Sequence, residues 1–422
     1  MLVFKFGGAS LKSGDAVRNL KTVLDQYAGN LVIVVSAMGK TTNMLEELAF
    51  SSFHNMPDIN EKYSRIKKYH YEIINNLFER EDKTVREKTD VLLKQLNDLV
   101  YSDMKKDFDS FYDSVVSFGE MLSSTIVNEY LNATDIPCGF KDIRNSLVTN
   151  ENHRDAGVIF GETEKRIKQN FCFDNCNRII TQGYIAMSEN GKPTTLGKEG
   201  SDYTAAIIAY CLNAEKMVVW KDVPGILNAD PKWFSNTVKI DNLSYRETIE
   251  LAYYGATVIH PKTIKPLENK NIPLYVKSFI KPDEPGTLIN ENRKSDDLIP
   301  AFIFRMNQVL ISITSKDLSF IVENDLAEIF SVFAAHKVKI NLMQNAATAF
   351  SVSVDADPVK IPALLNTLRT KYFVRYNENL ELATIRHFNQ ETIDRVTLNK
   401  KIFLEQRTRQ NARYLMKDMP VI

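Results

Sequence analysis

The first part of the chain alternates short apolar runs with amphipathic segments. The run LVFKF is a predicted strand that leads directly into Gly7 and Gly8, and a helix is predicted from about Asp15. The next apolar run, NLVIVVSA, is almost continuous, which is typical of a strand buried on both faces of a parallel sheet. This β-α-β order with short loops predicts a doubly wound α/β domain.

From about residue 44 to 110 the pattern changes to charged, amphipathic segments with almost no glycine. It predicts a helical insertion in the α/β domain. Strands are predicted again at RIITQGYIAM (178–187), KMVVWKDV (216–223) and IPLYVKS (272–278), with a helix at SDYTAAIIAYCL. We therefore expect one mainly parallel domain over residues 1–290.

The C-terminal region, residues 299–422, follows a polar stretch that predicts a linker near residues 286–298. Its apolar runs predict the order β-α-β-β-α-β, which is the ferredoxin-like α+β arrangement. One such module fits within residues 309–388. The later stretch KKIFLEQRTRQNARYLM is long enough to supply strands of a reduced second module.

Composition narrows the class of protein. A chain of 422 residues exceeds one hydrophobic core, so two or more domains are expected. The 53 basic and 53 acidic residues cancel, which gives no reason to expect nucleic acid as a partner. No apolar run approaches the roughly 20 residues that cross a bilayer, and no signal peptide is recognisable, so no membrane and a cytoplasmic location are expected. The 4 cysteines are expected to be reduced, and no metal site is predicted.

Two glycine-containing turns are candidate phosphate sites, and one of them is rejected. In KFGGAS (Lys5–Ser10) glycine amides can approach a phosphate closely and Lys5 adds positive charge, although a simple tight turn explains the fragment equally well. The stretch VVSAMGKTT resembles the end of a P-loop, but the position five residues before Gly39 is Val34, so that site is rejected. The same stretch places Thr42 at the carboxyl end of a strand, where ligands of open α/β sheets bind.

A third loop, TTLGKEGSDYTAA (194–206), carries Lys198 and Glu199 between two glycines, directly before Ser201 and Asp202. Either of the last two would be a good N-cap for the predicted helix. A glycine-rich loop with a cation at its tip also suits an anionic ligand. Both interpretations stay open from the residues alone.

Six blocks together resemble the aspartokinases in order and spacing: KFGGAS, VVSAMGKTTN, SFGEMLSS, TTLGKEGSDYTAA, WKDVPGILNADPK and GATVIHPKTI. The resemblance covers residues 1 to about 290 and implies the amino acid kinase fold. The C-terminal region resembles the ACT modules that regulate this family by binding an amino acid. The implied activity is ATP-dependent phosphorylation of the β-carboxylate of L-aspartate to 4-phospho-L-aspartate, the first step of lysine, methionine and threonine biosynthesis.

The resemblance also implies a role for individual residues. Lys5 and Asp202 are the implied catalytic groups, and Glu120 is expected to face the α-amino group of aspartate. The implied phosphate- and ATP-binding residues are Lys5, Gly7, Gly8, Ser10, Lys221, Asp222, Leu227 and Lys232. The implied substrate-binding residues are Thr42, Glu120, Lys198, Ser201 and Asp202. ATP and Mg²⁺ are the implied cofactors, an amino acid such as lysine or threonine is the implied effector, and a homodimer or higher homo-oligomer is the implied assembly.

Physical chemistry agrees with that activity. The β-carboxylate of aspartate has a reference pKa of about 3.9 and is already ionised, so no general base is needed. The obstacle is repulsion between this carboxylate and the γ-phosphate, and catalysis of such transfers is mostly positioning and charge neutralisation. Lys5, the glycine amides, Mg²⁺ and a further cation would supply what is required.

Three residues depart from the family pattern. Lys198 stands where an arginine is usual and offers a point charge instead of two parallel bonds. Glu199 replaces a usual glycine and brings negative charge towards an acidic substrate. Thr257 stands where a lysine usually faces the nucleotide, so Lys262 or Lys221 would have to compensate. These departures keep open a catalytically weak, amino-acid-sensing ACT protein, and a kinase for another acceptor such as glutamate is a further alternative.

Overall fold

The structure is a computed structural model that describes residues 1–78, 83–102, 107–174, 176–234, 236–256, 259–317 and 319–419. The chain divides into two compact units. Unit 1 comprises Met1–Ile226, Lys239–Ile249 and Val258–Arg293, and unit 2 comprises Leu227–Val238, Glu250–Thr257 and Lys294–Ile422. The domain boundaries given above remain predictions.

The first nine helices and thirteen strands lie before residue 294. The helices are α1 (Gly14–Asp25), α2 (Thr41–Phe53), α3 (Ile59–Leu77), α4 (Lys83–Val100), α5 (Phe108–Ala133), α6 (Phe160–Asn170), α7 (Gly200–Cys211), α8 (Tyr245–Tyr254) and α9 (Pro261–Asn269). The strands are β1 (Leu2–Phe6), β2 (Leu31–Val35), β3 (Gly139–Phe140), β4 (Val148–Thr149), β5 (Arg178–Gln182), β6 (Ile185–Ser188), β7 (Pro193–Thr195), β8 (Lys216–Lys221), β9 (Ile226–Leu227), β10 (Lys239–Ile240), β11 (Asn242–Ser244), β12 (Leu274–Ser278) and β13 (Thr287–Asn290).

The main sheet of unit 1 has eight strands in the order β11-β13-β12-β8-β1-β2-β5-β3. All neighbours pair in parallel except β12 and β13. All five residues of β2 are buried, as the continuous apolar run predicts. Around β1 the fully buried rings of Phe4, Phe6 and Trp220 pack together, with the Phe6 and Trp220 centroids 6.1 Å apart. The predicted mainly parallel α/β fold with a helical insertion is confirmed.

Three local predictions need correction. The helical segment expected from about residue 44 begins earlier, at Thr41, where α2 starts. The stretch RIITQGYIAM is two strands, because Tyr184 adopts a left-handed φ of 65° that interrupts the extended backbone. The predicted linker does not begin at residue 286, because β13 pairs with β11 and β12 and its alternate residues Thr287 and Ile289 are buried.

Unit 2 is built around an antiparallel sheet. Its elements are β14 (Ala301–Ser315), α10 (Glu323–Ala335), β15 (Ile340–Asn345), β16 (Ala349–Asp355), α11 (Lys360–Arg369), β17 (Tyr372–Arg386), α12 (Gln390–Thr397), β18 (Lys400–Arg407) and β19 (Asn411–Asp418). The strand order is β15-β16-β14-β17-β19-β18. The first six elements follow the predicted β-α-β-β-α-β order, so the ferredoxin-like α+β prediction is confirmed. Side chains of α10 and α11 pack on the core formed by β14, β16 and β17.

Strands β14 and β17 are each 15 residues long, much longer than the runs predicted from the sequence. A register shift after Arg305 divides their pairing, and Asn307 has a φ of 55° there. The first part of β14 pairs with the end of β17, which then pairs with β19. The stretch KKIFLEQRTRQNARYLM thus forms the hairpin β18–β19 and extends the same sheet.

Two further predictions can be compared with the structure. All four cysteines are free thiols, as predicted. Within the ranges described above, the helices include none with the length and apolar character needed to span a membrane.

Candidate active site

A cleft of about 550 Å³ lies at the carboxyl ends of the central strands of unit 1. Because β1, β2 and β8 run parallel, their ends bring Lys5, Ser36 and Lys221 to one edge of the sheet. The sequence-predicted residues that line this cleft are Lys5, Gly8, Thr42, Glu120, Lys198, Ser201, Asp202 and Lys221. Separate sequence blocks therefore meet at one place.

An ion pair in the cleft joins β1 to the first turn of α7. The Nζ of Lys5 lies 2.6 Å from the Oδ1 of Asp202, and the two side chains are 12% and 3% exposed. Asp202 lies in the first turn of α7, whose N-cap residue is Glu199. The N-cap interpretation of Ser201 and Asp202 is therefore wrong, and the carboxylate of Asp202 instead holds the ammonium group of Lys5.

Glu120 is a buried carboxyl group on α5. Its Oε1 accepts a hydrogen bond from the backbone N–H of Ala37 at 3.1 Å, while its Oε2 has no hydrogen-bond partner within the described part of the chain. Burial is the main cause that raises the pKa of Glu120 to about 8, and the nearby charge of Lys5 opposes it. A cationic group entering the cleft would give Oε2 a partner and favour the ionised carboxylate.

The turn after β1 packs tightly against the turn after β2. A Cβ atom at Gly8 would lie 2.8 Å from the carbonyl oxygens of both Ala37 and Gly39, so only glycine fits there. Ser10 is buried and donates its backbone N–H to the carbonyl oxygen of Gly7 at 3.0 Å. Gly7 and Ser10 shape this turn and are not among the residues that line the cleft.

In the loop from Gly197 to Gly200, the charged side chains of Lys198 and Glu199 have different surroundings. Glu199, with a φ of 56°, accepts the backbone N–H of His260 on its Oε2 at 2.9 Å. Lys198 is exposed and lines the cleft. No ion pair to Lys198 exists among the residues that the structure describes. The carboxylate of Glu199 is thus engaged by the backbone, and the ammonium group of Lys198 is available to a ligand.

Sequence reasoning missed one cationic residue that lines the cleft, Arg154. Arg154 lies 4.4 Å above the ring of Tyr112, and its Nη1 contacts the Oδ1 of Asp109 at 3.2 Å. Its backbone N–H donates to the fully buried carboxylate of Asp113. Tyr112 in turn donates to Glu46, and burial is the main cause that raises the pKa of Tyr112 to about 12. The charged stretch NENHRDAG contains Arg154 but resembles an ordinary surface loop, so no local signal marked it.

The predicted nucleotide-binding block is spread over both units. Lys221 ends β8 and lines the cleft in unit 1. Asp222 is exposed and is not among the lining residues. Leu227 and Lys232 belong to unit 2, where Lys232 donates its backbone N–H to the Oδ1 of Asp230 at 2.9 Å.

The departure at Thr257 lies outside the described residues. Of the two lysines expected to compensate for it, Lys262 forms an ion pair with Asp155. Lys221 lines the cleft.

Comparison with known proteins gives consistent matches. Residues 1–278 match the model of the amino acid kinase family. Lysine-sensitive aspartokinase 3 of Escherichia coli is 30% identical over 393 residues, which cover 91% of this chain and 86% of that protein. The crystal structure of E. coli aspartokinase III with lysine and aspartate has a TM-score of 0.82 at 27% identity and covers 98% of this chain and 95% of that chain. The structure of the same E. coli enzyme with aspartate and ADP has a TM-score of 0.82 at 27% identity, with 99% and 96% covered.

Proposed function

Because the chain belongs to the amino acid kinase family and, within it, to the aspartokinases, we propose that it transfers the γ-phosphoryl group of ATP to the β-carboxylate of L-aspartate. The product is 4-phospho-L-aspartate, the first intermediate of lysine, methionine and threonine biosynthesis. The observation that carries this proposal is the ion pair of Lys5 with Asp202 in a cleft that Glu120 also lines. The similar E. coli structure that contains aspartate and ADP supports it.

Lys5 is assigned to the transferred phosphoryl group. Its ammonium group is fixed by one buried carboxylate oxygen of Asp202, and an ammonium group has three donors, so further hydrogen bonds remain for phosphate oxygens. A cation that is in place before the substrate binds loses little energy to reorganisation during the reaction. Gly7, Gly8 and Ser10 are assigned to the same phosphate-binding turn.

The acceptor is assigned to the other groups of the cleft. Glu120 would bind the α-ammonium group of aspartate, because its Oε2 lacks a partner among the described residues and its pKa of about 8 falls when a cation approaches. Lys198 would bind the α-carboxylate, and Arg154 offers the planar guanidinium that Lys198 lacks. Thr42 and Ser201 are assigned to the same substrate.

The nucleotide is assigned to Lys221, Asp222, Leu227 and Lys232, and ATP would enter as its Mg²⁺ complex. Over the described ranges, no three or more His, Cys, Asp or Glu side chains lie close enough together to hold a metal ion. The cleft carboxylates of Asp202, Glu46 and Glu199 are engaged by Lys5, Tyr112 and the backbone of His260, respectively. This arrangement fits Mg²⁺ that arrives on the phosphates and keeps several waters.

Regulation, assembly and location are proposed on the family relationship. We propose an amino-acid effector, lysine or threonine, at the C-terminal region, and the E. coli aspartokinase III structure in complex with lysine supports lysine as this effector. We also propose a homodimer or higher homo-oligomer in the cytoplasm. Light scattering with and without lysine or threonine measures the mass of the assembly and any response to the effector. A monomeric mass under both conditions would contradict the assembly.

The activity is tested by ADP release from Mg-ATP with aspartate, glutamate or no acceptor, while hydroxylamine traps any acyl phosphate. We expect ADP release and hydroxamate only with aspartate. No aspartate-dependent signal at about 10 mM aspartate, well above common KM values, would contradict the proposed function. Equal signals with glutamate would contradict the assigned acceptor.

A further inference from the structure

Unit 2 contains a cavity of about 530 Å³. Its walls come from the end of α8, the second half of α10, β15 and the β18–β19 hairpin. Four aromatic side chains line it, those of Tyr253, Tyr254, Phe330 and Phe333. Cavities of about 300–1,000 Å³ with apolar and aromatic walls are typical of small-molecule sites.

Arg413 on β19 reaches this cavity and is 8% exposed. Its Nη2 donates to the carbonyl oxygen of Asn341 at 2.8 Å, and its Nε donates to the Oγ1 of Thr384 at 3.3 Å. The guanidinium lies 5.0 Å from the ring centroid of Tyr254. Over the described residues, Nη1 has no acceptor and the guanidinium has no carboxylate partner.

Two neighbouring arginines of unit 2 provide a comparison. The Nη1 of Arg386 lies 3.4 Å from the Oε2 of Glu250, and the Nη1 of Arg305 lies 3.9 Å from the Oδ2 of Asp355. Each of these two cations therefore has an anion beside it. Burial lowers the pKa of Arg413, but an arginine stays charged at neutral pH. A buried charge without a counter-charge is costly unless a ligand supplies one.

We propose that this cavity binds a small organic monocarboxylate, with its carboxylate on the Nη1 of Arg413 and its apolar body against the four aromatic side chains. Thr408 lines the same cavity and its hydroxyl group can donate a second hydrogen bond. None of the described lining residues is acidic. The lining therefore offers no carboxylate to a second, cationic group of a ligand such as lysine.

The proposal does not depend on phosphoryl transfer, since it rests on contacts within unit 2. The direct test is isothermal titration calorimetry of the full chain with 3-phenylpropionate and with its neutral analogue 3-phenylpropanamide. We expect the acid to bind with a millimolar Kd and the amide to bind at least about tenfold more weakly. Equal affinities, or no binding of the acid at about 10 mM, would overturn the proposal.

Two variants locate the binding. Arg413→Gln removes the charge and should weaken binding of the acid by at least about tenfold. Because this change could also loosen the contact with Asn341, Ala334→Trp serves as a second variant: Ala334 is an exposed residue that lines the cavity, so the ring fills it and leaves Arg413 in place. Ala335→Trp is the matched control, one residue further along α10 and not among the lining residues.

Binding should be lost in Ala334→Trp and kept in Ala335→Trp. Wild-type affinity in either Arg413→Gln or Ala334→Trp would overturn the assignment of the site. L-lysine is the third probe. If it bound as tightly as the acid, and both variants abolished that binding, the monocarboxylate assignment would be wrong.

Discussion

The two sides of the cleft in unit 1 differ in how firmly they hold their charged groups. On the strand side, Lys5 and Asp202 form a pair with little exposure, and Glu120 is 2% exposed and bonded to the backbone of Ala37. On the loop side, Lys198 is exposed and Glu199 has left-handed backbone geometry. One side is fixed before a ligand arrives, and the other can adjust.

This difference indicates that the two sides of the cleft have different roles. The phosphoryl group always carries the same charge, so a fixed cation lowers the reorganisation needed in the transition state. An exposed lysine has to lose side-chain entropy when it binds a carboxylate, and water screens its charge. Substitutions should therefore have large effects on the strand side and small effects on the loop side.

The largest effect is expected at Lys5. Lys5→Ala leaves the buried carboxylate of Asp202 unpaired, which typically costs about 3–5 kcal/mol of stability. The double variant Lys5→Met with Asp202→Asn removes both charges, so it should stay folded while kcat falls by about 10³-fold or more. Coupled measurement of ADP release gives kcat, and circular dichroism with thermal unfolding verifies the fold.

Lys21→Ala is the matched control, since Lys21 lies on α1 and pairs with Asp25 at 2.8 Å. Its kcat should equal that of the wild type. If the folded double variant retained a kcat within about tenfold of the wild type, the assignment of Lys5 would be wrong.

The second largest effect is expected at Glu120, which should make the KM for aspartate depend on pH. With its pKa raised to about 8 by burial, the carboxyl group is mostly protonated at pH 6 to 7, and the ammonium group of aspartate must displace that proton. The KM for aspartate should therefore fall as pH rises towards 8, by up to about tenfold per pH unit. Glu120→Gln should abolish this dependence and raise KM at pH 8 by about 30-fold.

Stability provides an independent check on the same group. The pKa of Glu120 is above its ordinary value of 4.5, so the folded state binds this proton more tightly than the unfolded chain. Its contribution to the free energy of unfolding is complete below pH 4.5 and is lost as pH rises through about 8. Denaturant unfolding across this pH range should show that the free energy of unfolding falls less in Glu120→Gln than in the wild type. An identical pH profile in both proteins would contradict the raised pKa.

Much of the fold could be predicted from periodicity alone. The continuous apolar run of β2 predicted a strand in a parallel sheet. The order of apolar runs in the C-terminal region predicted the ferredoxin-like α+β arrangement. The lengths of β14 and β17 could not be predicted, because their extra residues pair with each other across a register shift. Nor could the break at Tyr184, where the backbone is left-handed with a φ of 65°. The preceding Gly183 lies against Ser201, so that a Cβ atom at Gly183 would be 2.5 Å from the Cβ of Ser201, a contact between segments far apart in the sequence.

The candidate site was predictable where a motif carries it and not elsewhere. Glycine-rich turns and the charges beside them pointed to Lys5 and Asp202, but their ion pair depends on the packing of α7 against β1. Arg154 was missed because its place in the cleft depends on the buried carboxylate of Asp113 that accepts its backbone N–H. Such long-range contacts leave no local pattern.

A smaller effect is expected at Lys198. Exposed ion pairs contribute about 0.2–1 kcal/mol, so Lys198→Ala should raise the KM for aspartate by no more than about fivefold and leave kcat unchanged. Lys198→Arg should lower KM, because a guanidinium can form two parallel bonds to a carboxylate. Steady-state kinetics at varied aspartate measures both. Lys192→Ala is the control, since Lys192 is exposed, pairs with Glu151 at 3.1 Å and does not line the cleft.

A rise in KM of more than about 100-fold in Lys198→Ala would exceed what an exposed pair can contribute. The loop side would then be as firmly organised as the strand side, and the comparison between the two sides would fail.

The smallest effect is expected at Glu199. Its left-handed φ of 56° costs a residue with a side chain about 1–2 kcal/mol, while the hydrogen bond from the backbone of His260 contributes about 0.5–1.5 kcal/mol. Glu199→Gly removes both, so the free energy of unfolding should change by less than about 1 kcal/mol. Glu199→Ala loses the bond and keeps the strain, so denaturant unfolding should show it to be the less stable variant. If the glycine variant were instead the less stable one, the strain of the left-handed φ would be smaller than the entropy that glycine adds to the unfolded chain, and the strain assigned to Glu199 would be wrong.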